Sequence, residues 1–178
     1  MQTEIIAEPG KQEIFLIREF DAPRELVFRA FVDAELYVQW IGPRELNTTL
    51  EIFEPEHSGR WRYTQKNKDG NEYSFRGVNH EVIAPELIIS TFEFEIPGEI
   101  GHVALETVRF ESLPDNRTKV IDQSVFQSVA DRDAVIESGI ERGVNDSHNR
   151  LDDLLVKELL KINISRGFKN ILSRFWKI

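Results

Sequence analysis

The residues whose types could do chemistry lie in two neighbouring segments of alternating hydrophobicity. Glu106, Asp122 and Ser124 each share one side of a strand pattern with apolar residues. A carboxylate that faces an apolar cavity has a raised pKa, and it can act as an acid or base or orient a ligand hydroxyl. The pattern leaves both orientations open, and we expect a solvated edge or a local bulge that turns these side chains outward.

The other polar residues do not form a catalytic or metal-binding pattern. The chain has four histidines and no cysteine, which excludes disulfides, thiolate nucleophiles and cysteine-based metal sites. His148 and Asp152 stand four positions apart on a predicted helix, a spacing that helix surfaces often produce by chance. We therefore predict no catalytic residue, no metal and no cofactor, and a binding protein is favoured over an enzyme.

The charge of the chain changes sign near residue 160. The 178 residues carry 31 acidic and 22 basic side chains, for a net charge of -9. Five basic residues and no acidic residue lie in residues 161–178, so the tail carries +5 and residues 1–160 carry -14. The acidic body argues against a nucleic-acid partner or an anionic bilayer. With no secretory or membrane-spanning pattern, we expect a soluble cytoplasmic protein.

The elements that position the polar residues begin with a strand and two short helices. Residues 13–20 are apolar and β-branched enough for a strand. Asp21 is the expected N-cap of a short helix that has Pro23 in its first turn. A second short helix is expected to end at Gly42.

The rest of the chain divides into a meander and a long helix. From residue 46 to about residue 127 the hydrophobic period is two, with turn signals that divide the segment into about six antiparallel strands. A helix follows from about Asp131, its expected N-cap, to Leu160, and its apolar stripe faces the sheet. These elements predict an α+β fold in which the helix covers the aromatic face of the sheet.

Several short blocks of sequence point to one family. The blocks are FDAP (20–23), LVF (26–28), QWIGP (39–43), GRWRY (59–63), FRGV (75–78), APEL (84–87), HVALETVRFE (102–111) and SGIERGVN (138–145). Over residues 11–160 the chain resembles the C-terminal domain of the activator of the heat-shock protein 90 ATPase, within the START-like (SRPBCC) superfamily. The resemblance implies a helix-grip fold, with a curved antiparallel sheet of about seven strands around a long C-terminal helix and two short helices after the first strand.

The resemblance also implies a cavity between the sheet and the helix. Gly77, Gly143 and Ser147 remove volume where a solid core would need it, which favours a cavity over a filled interior. Gly143 could instead permit close contact between helix and sheet, and the Ser147 hydroxyl could bond either a ligand or the carbonyl of Gly143. The expected ligand-binding residues are Trp40, Trp61, Tyr63, Phe75, Gly77, Phe92, Phe94, Val108, Phe110, Gly143 and Ser147.

These patterns favour a protein that binds a hydrophobic or aromatic small molecule without catalysis. The resemblance implies an alternative, a co-chaperone that activates the heat-shock protein 90 ATPase, with a role in the stress response. A cyclase or hydrolase that uses the cavity is a third hypothesis. Residues 161–178 form a predicted basic amphipathic helix that docks on the acidic body, or alternatively on a partner, a dimer mate or a membrane surface. Monomer and homodimer both stay open.

Overall fold

The structure, a computed structural model, describes residues 2–95 and 100–175, and the side chains of that part through residue 164. The strands are β1 (Glu4–Ile6), β2 (Glu13–Phe20), β3 (Asn47–Phe53), β4 (Arg60–Lys66), β5 (Glu72–Ile83), β6 (Leu87–Phe94), β7 (Val103–Leu113) and β8 (Arg117–Val125). The helices are α1 (Arg24–Val32), α2 (Ala34–Trp40), α3 (Val129–Glu137) and α4 (Ile140–Phe175).

The strands form one antiparallel sheet in the order β1-β2-β8-β7-β6-β5-β4-β3. The predicted meander is β3 to β8. The predicted first strand, β2, extends the sheet by pairing with β8. The sequence predicted about seven strands, and the described residues contain eight. The additional strand, β1, pairs three residues with β2, which is too short to show a period. The predicted α+β helix-grip fold is confirmed.

The cap of α1 differs from the prediction. Pro23 occupies the N-cap position without a side-chain cap, and Asp21 instead accepts a hydrogen bond of 3.0 Å from Nε of Arg117. The next helix does have a side-chain cap, because Asp33 Oδ1 accepts from the backbone N–H of Glu35 at 3.0 Å. The sequence therefore located both short helices correctly but placed the acidic cap one helix too early.

The predicted long helix is two helices. Its expected N-cap at Asp131 is wrong, because Ser128 caps α3 and its Oγ accepts from the backbone N–H of Asp131 at 3.1 Å. Gly139 has φ +79°, a left-handed conformation that glycine adopts without a steric penalty and that ends a helix. The α4 backbone then continues past residue 160 to Phe175. The division into a domain and a tail, and the docking of that tail, stay predictions.

The core lies between the sheet, the two short helices and the part of α4 around residues 151–155. Leu151 of α4 and Val27 of α1 are completely buried, and Phe110 of β7 is nearly so. The Phe110 ring meets the rings of Phe28 and Phe31 edge to face, with centroids 5.2 and 5.0 Å apart. Burial of these apolar side chains fixes α1 and the part of α4 around Leu151, Leu154 and Leu155 on the sheet.

One glycine is required for the aromatic surface of the sheet. Gly77 of β5 lies opposite Trp61 of β4, and the indole occupies the space of a side chain at position 77. A Cβ there would clash with the carbonyl oxygen of Thr91 and lie 2.5 Å from Cζ2 of Trp61. The absence of a side chain at Gly77 thus allows Trp61 to lie flat on the sheet.

We expect Gly77→Ala to lower the free energy of unfolding by about 2 kcal/mol or more, because the Thr91 oxygen belongs to the backbone of β6 and cannot move freely. Gly143→Ala is the matched control, since its Cβ would lie 3.7 Å from Cγ of Pro43. Alanine fits there and should stabilise α4 by about 1 kcal/mol. Urea unfolding measures both variants, and equal effects would contradict this interpretation.

Candidate functional site

A cavity of about 370 Å³ lies between the inner face of the sheet, α2 and the first two turns of α4. Its walls are mainly aromatic and aliphatic, with a few polar groups among them. Its aromatic lining residues are Phe31, Tyr37, Trp40, Phe53, Trp61, Tyr63 and Phe92. Such a composition is typical of small-molecule sites, where apolar walls supply affinity and a few polar groups set orientation.

The structure brings most of the sequence-predicted site residues to this cavity. Those that line it are Trp40, Trp61, Tyr63, Phe92, Val108, Gly143 and Ser147. Phe75 lies behind the wall, with its ring 5.0 Å from that of Tyr63, and Phe94 stacks on Phe75 at 4.8 Å. Gly77 leaves the space that the Trp61 ring occupies, and Phe110 belongs to the solid core. These four residues shape the cavity without lining it.

The two carboxylates that the sequence placed outward face the cavity. The pairing of β7 with β8 is unbroken from Leu105 to Leu113, with Glu106 opposite Ser124 and Val108 opposite Asp122. Without a bulge, the alternation of the strands holds, and both acids lie on the inner face with Val108. Both line the cavity, so the predicted outward orientation is wrong.

Burial changes the protonation of this carboxyl pair. It raises the pKa of Asp122 to about 7. Burial, and then the neighbouring charge of Asp122, raises the pKa of Glu106 well above its usual range, while a hydrogen bond from the Ser124 hydroxyl opposes that shift. The Ser124 hydroxyl lies 3.4 Å from Oε1 of Glu106. Two like charges at this depth cannot both form easily, so the pair retains a proton near neutral pH.

Two tyrosines complete the polar end of the cavity. The Tyr37 and Tyr63 rings lie 6.1 Å apart, edge to face. Burial raises the pKa of both phenols, and the negative charge of Glu106 raises them further. Both hydroxyls therefore stay protonated at neutral pH and can donate or accept hydrogen bonds. Tyr37 was not among the expected ligand-binding residues, although it lies on the same short helix as Trp40.

The helix side of the cavity is open at Gly143 and polar at Ser147. The nearest atom to a Cβ at Gly143 would be Cγ of Pro43 at 3.7 Å, so no tight helix-to-sheet contact requires the glycine. Ser147 is 8% exposed, and its hydroxyl makes no hydrogen bond to the Gly143 carbonyl or to any other described group. Of the alternatives left open by the sequence, the geometry supports removed volume at Gly143 and a free hydroxyl at Ser147.

His148 and Asp152 belong to a buried polar network. Arg18 of β2 is 2% exposed; it forms an ion pair with Asp152 and donates to Oδ1 of Asn149 at 2.8 Å. The Nδ1 atom of His148 lies 2.7 Å from the Thr3 hydroxyl. Burial, followed by the positive charge of Arg18, lowers the pKa of His148 to about 4. This histidine is therefore neutral at physiological pH. Asp152, four positions further along the helix, pairs with Arg18 and not with His148.

The architecture defines the class of protein. An antiparallel sheet around a long C-terminal helix, with two helices after β2 and a cavity beneath α4, is the helix-grip fold of the START-like superfamily. The chain belongs to the family described as Activator of Hsp90 ATPase homolog 1-like protein, whose model matches residues 21–156. A comparison with curated proteins gives no match.

Solved structures of bacterial proteins share the fold. A solution structure from Arthrobacter aurescens has a TM-score of 0.79 at 23% identity, covering 86% of this chain and 91% of the other. A crystal structure from Rhodobacter sphaeroides also has 0.79 at 22% identity, covering 88% and 99%. A protein from Silicibacter pomeroyi named AHSA1 has 0.68 at 21% identity, covering 82% and 99%. None of the helices in residues 2–95 and 100–175 combines the length and the hydropathy of a membrane span.

We expect Asp122→Asn to make the free energy of unfolding depend less on pH. The pKa of Asp122 in the folded protein, about 7, lies above the ordinary aspartate value of about 4, so the wild type loses stability as pH rises from about 4 through about 7. The asparagine carries no charge. The free energy of unfolding of the variant, relative to wild type, should therefore increase by on the order of 1 to 3 kcal/mol between pH 5 and pH 8.

Urea unfolding at the two pH values measures this difference. His148, with its lowered pKa, gives the opposite slope between about pH 4 and 6.5, but it is present in both proteins and cancels. Glu111→Gln is the control, because Glu111 lies on β7 and is exposed. A constant difference between Asp122→Asn and wild type would show that Asp122 is not perturbed in the folded protein.

Proposed function

We propose that the protein binds a hydrophobic or aromatic small molecule in the cavity between the sheet and α4. The observation that supports this most directly is an aromatic cavity of about 370 Å³, within the range of roughly 300 to 1,000 Å³ that is usual for ligand sites. A filled core would leave no such volume, because protein interiors are packed to the density of organic crystals. Apolar area supplies the affinity, and Ser147, Tyr37 and Tyr63 supply hydrogen bonds.

The rim of the cavity is held in place before any ligand arrives. Nη1 of Arg150 donates to the carbonyl oxygens of Gly42 at 2.6 Å and Pro43 at 3.2 Å, and these residues line the cavity beside Gly143. Three Arg–backbone contacts, including a longer one to Ile41, fix the loop that follows α2. A rim that is already ordered lowers the entropic cost of binding.

Binding is favoured over catalysis by the contacts of the carboxyl pair. A cyclase or hydrolase would need a nucleophile, or a second acid or base, within hydrogen-bond reach of the reacting atoms. Among the described side chains, the hydrogen-bond contact of Glu106 is with the Ser124 hydroxyl at 3.4 Å, and Asp122 Oδ1 is buried with no partner. The pair is thus placed to orient a ligand rather than to activate a neighbouring group.

A co-chaperone function is the second proposal, and the family description is the observation that favours it. It would use the outer surface of the domain, so filling the cavity should not affect it. The test is a pull-down and an ATPase assay with a heat-shock protein 90 chaperone, using wild type and Gly143→Leu. Stimulation by both proteins would support this proposal, and no binding at tens of micromolar would exclude it.

We expect Gly143→Leu to abolish ligand binding, because its side chain would extend into the cavity from α4. Gly143→Ala is the control, since it adds a methyl group without reaching across the space. The probe is tryptophol, a neutral indole alcohol, and the measurements are thermal shift and isothermal titration calorimetry. Wild type and Gly143→Ala should bind, and Gly143→Leu should fold without binding. A folded Gly143→Leu that binds as tightly as wild type would overturn the proposal.

A further inference from the structure

The carboxyl pair in the cavity differs from the ion-paired acids of the outer sheet surface. There, Glu93 accepts from Arg76 at 2.6 Å and Glu95 accepts from Arg62 at 2.8 Å. By contrast, neither Glu106 nor Asp122 forms an ion pair with any described residue. Carboxylates withdrawn from water are normally paired or bound to a cation, since an isolated buried charge is costly.

Arg18 and Arg150, on the elements that pack around the cavity, form contacts with groups other than the carboxyl pair. Arg18 pairs with Asp152 on α4, and Arg150 donates to backbone carbonyls at the rim. His148 lines the cavity, but its lowered pKa of about 4 leaves it uncharged near pH 7. The protein therefore supplies no positive charge to the pair from its own described side chains.

Other polar groups of the cavity are also available to a ligand. Ser90 is 7% exposed and Ser147 is 8% exposed; both line the cavity, where their hydroxyls can bond a ligand. Ser90 lies directly opposite Glu106 in the pairing of β6 with β7. Asp122 Oδ1 is buried without a partner. Buried polar atoms are nearly always hydrogen-bonded in native structures.

The aromatic wall beside the pair suits a cation. Trp61 and Tyr63 stack with centroids 5.6 Å apart, and the Tyr37 ring meets Tyr63 edge to face. Indole and phenol faces attract ammonium groups, most strongly where water is excluded. The net charge of the body, -14 over residues 1–160, also raises the local concentration of cations.

Building on the proposed function, we propose that the ligand is an aromatic amine whose protonated amino group binds between Glu106 and Asp122 while its apolar body fills the aromatic end of the cavity. The ammonium N–H groups donate to the two carboxyl groups and to the Ser90 hydroxyl. Charge-assisted hydrogen bonds of this kind are about twice as strong as neutral ones. They offset the cost of removing the ammonium from water, which an apolar pocket alone would not do.

The test uses three indoles of nearly equal size and different charge at neutral pH: tryptamine, tryptophol and indole-3-acetate. We expect wild type to bind tryptamine roughly ten- to hundred-fold more tightly than tryptophol, and indole-3-acetate more weakly than both. Isothermal titration calorimetry gives the three dissociation constants. Tryptophol binding equal to or tighter than tryptamine binding overturns this inference alone, whereas failure of all three to bind at millimolar concentration overturns the proposed function as well.

Two isosteric variants assign the preference to the carboxyl pair. Glu106→Gln and Asp122→Asn should each reduce the tryptamine-to-tryptophol affinity ratio by about tenfold, because each removes one carboxylate. Glu111→Gln, at the exposed position on β7, should keep the wild-type ratio. An unchanged ratio in folded Glu106→Gln and Asp122→Asn would overturn the assignment, and the wild-type series stands independently of how stable the variants are.

Discussion

The geometry of the cavity depends on a buried arginine that fixes α4 to the sheet. Arg18 is 2% exposed and reaches from β2 to Asp152 and Asn149 on the helix. A buried guanidinium cannot lose its carboxylate without leaving an uncompensated charge, so this contact sets the position of the helix along the sheet. Leu151, Leu154 and Leu155 of the same helix belong to the buried core. With this part of α4 anchored, its first two turns extend over the inner face of β4 to β8.

The cavity forms because small residues lie on the helix side and aromatic rings line the sheet side. Gly143 and Ser147 give the helix side little volume, and the opposite wall is made rigid by stacked rings whose positions depend on Gly77. Such a wall does not collapse into the space, because each large ring is held by its neighbours. A fold in which solid packing and an open site share one helix can bind a ligand without a large rearrangement.

The sequence predicted the fold well because its signals are periodic and local. Alternation and turn residues locate the meander, and helical spacing locates α1 and α2. The break at Gly139 was missed because a glycine inside a helical pattern is often tolerated, and only its positive φ shows that the helix ends there. The three-residue β1 is too short to carry a pattern.

The site was less predictable, since it depends on contacts between distant segments. The outward orientation of Glu106 and Asp122 was expected from a solvated edge or a local bulge, yet their alternation with Val108 and Val120 already indicated the inner face. What the sequence could not show is that β7 and β8 pair without a bulge there. The contribution of Tyr37 depends on how α2 lies across the sheet. Unpaired buried acids lower the stability of the fold, and such departures from the most stable arrangement are typical of functional sites.

The central claim is that the cavity holds a carboxyl pair whose missing partner is a ligand cation. The most direct test is an NMR titration of the side-chain carboxyl carbons of Glu106 and Asp122, in the free protein and with saturating tryptamine. We predict that the free pair still holds a proton at pH 7, and that both carboxyl groups are ionised at that pH when tryptamine is bound. Two carboxyl groups that titrate independently near the ordinary value of about 4 in the free protein would contradict the account.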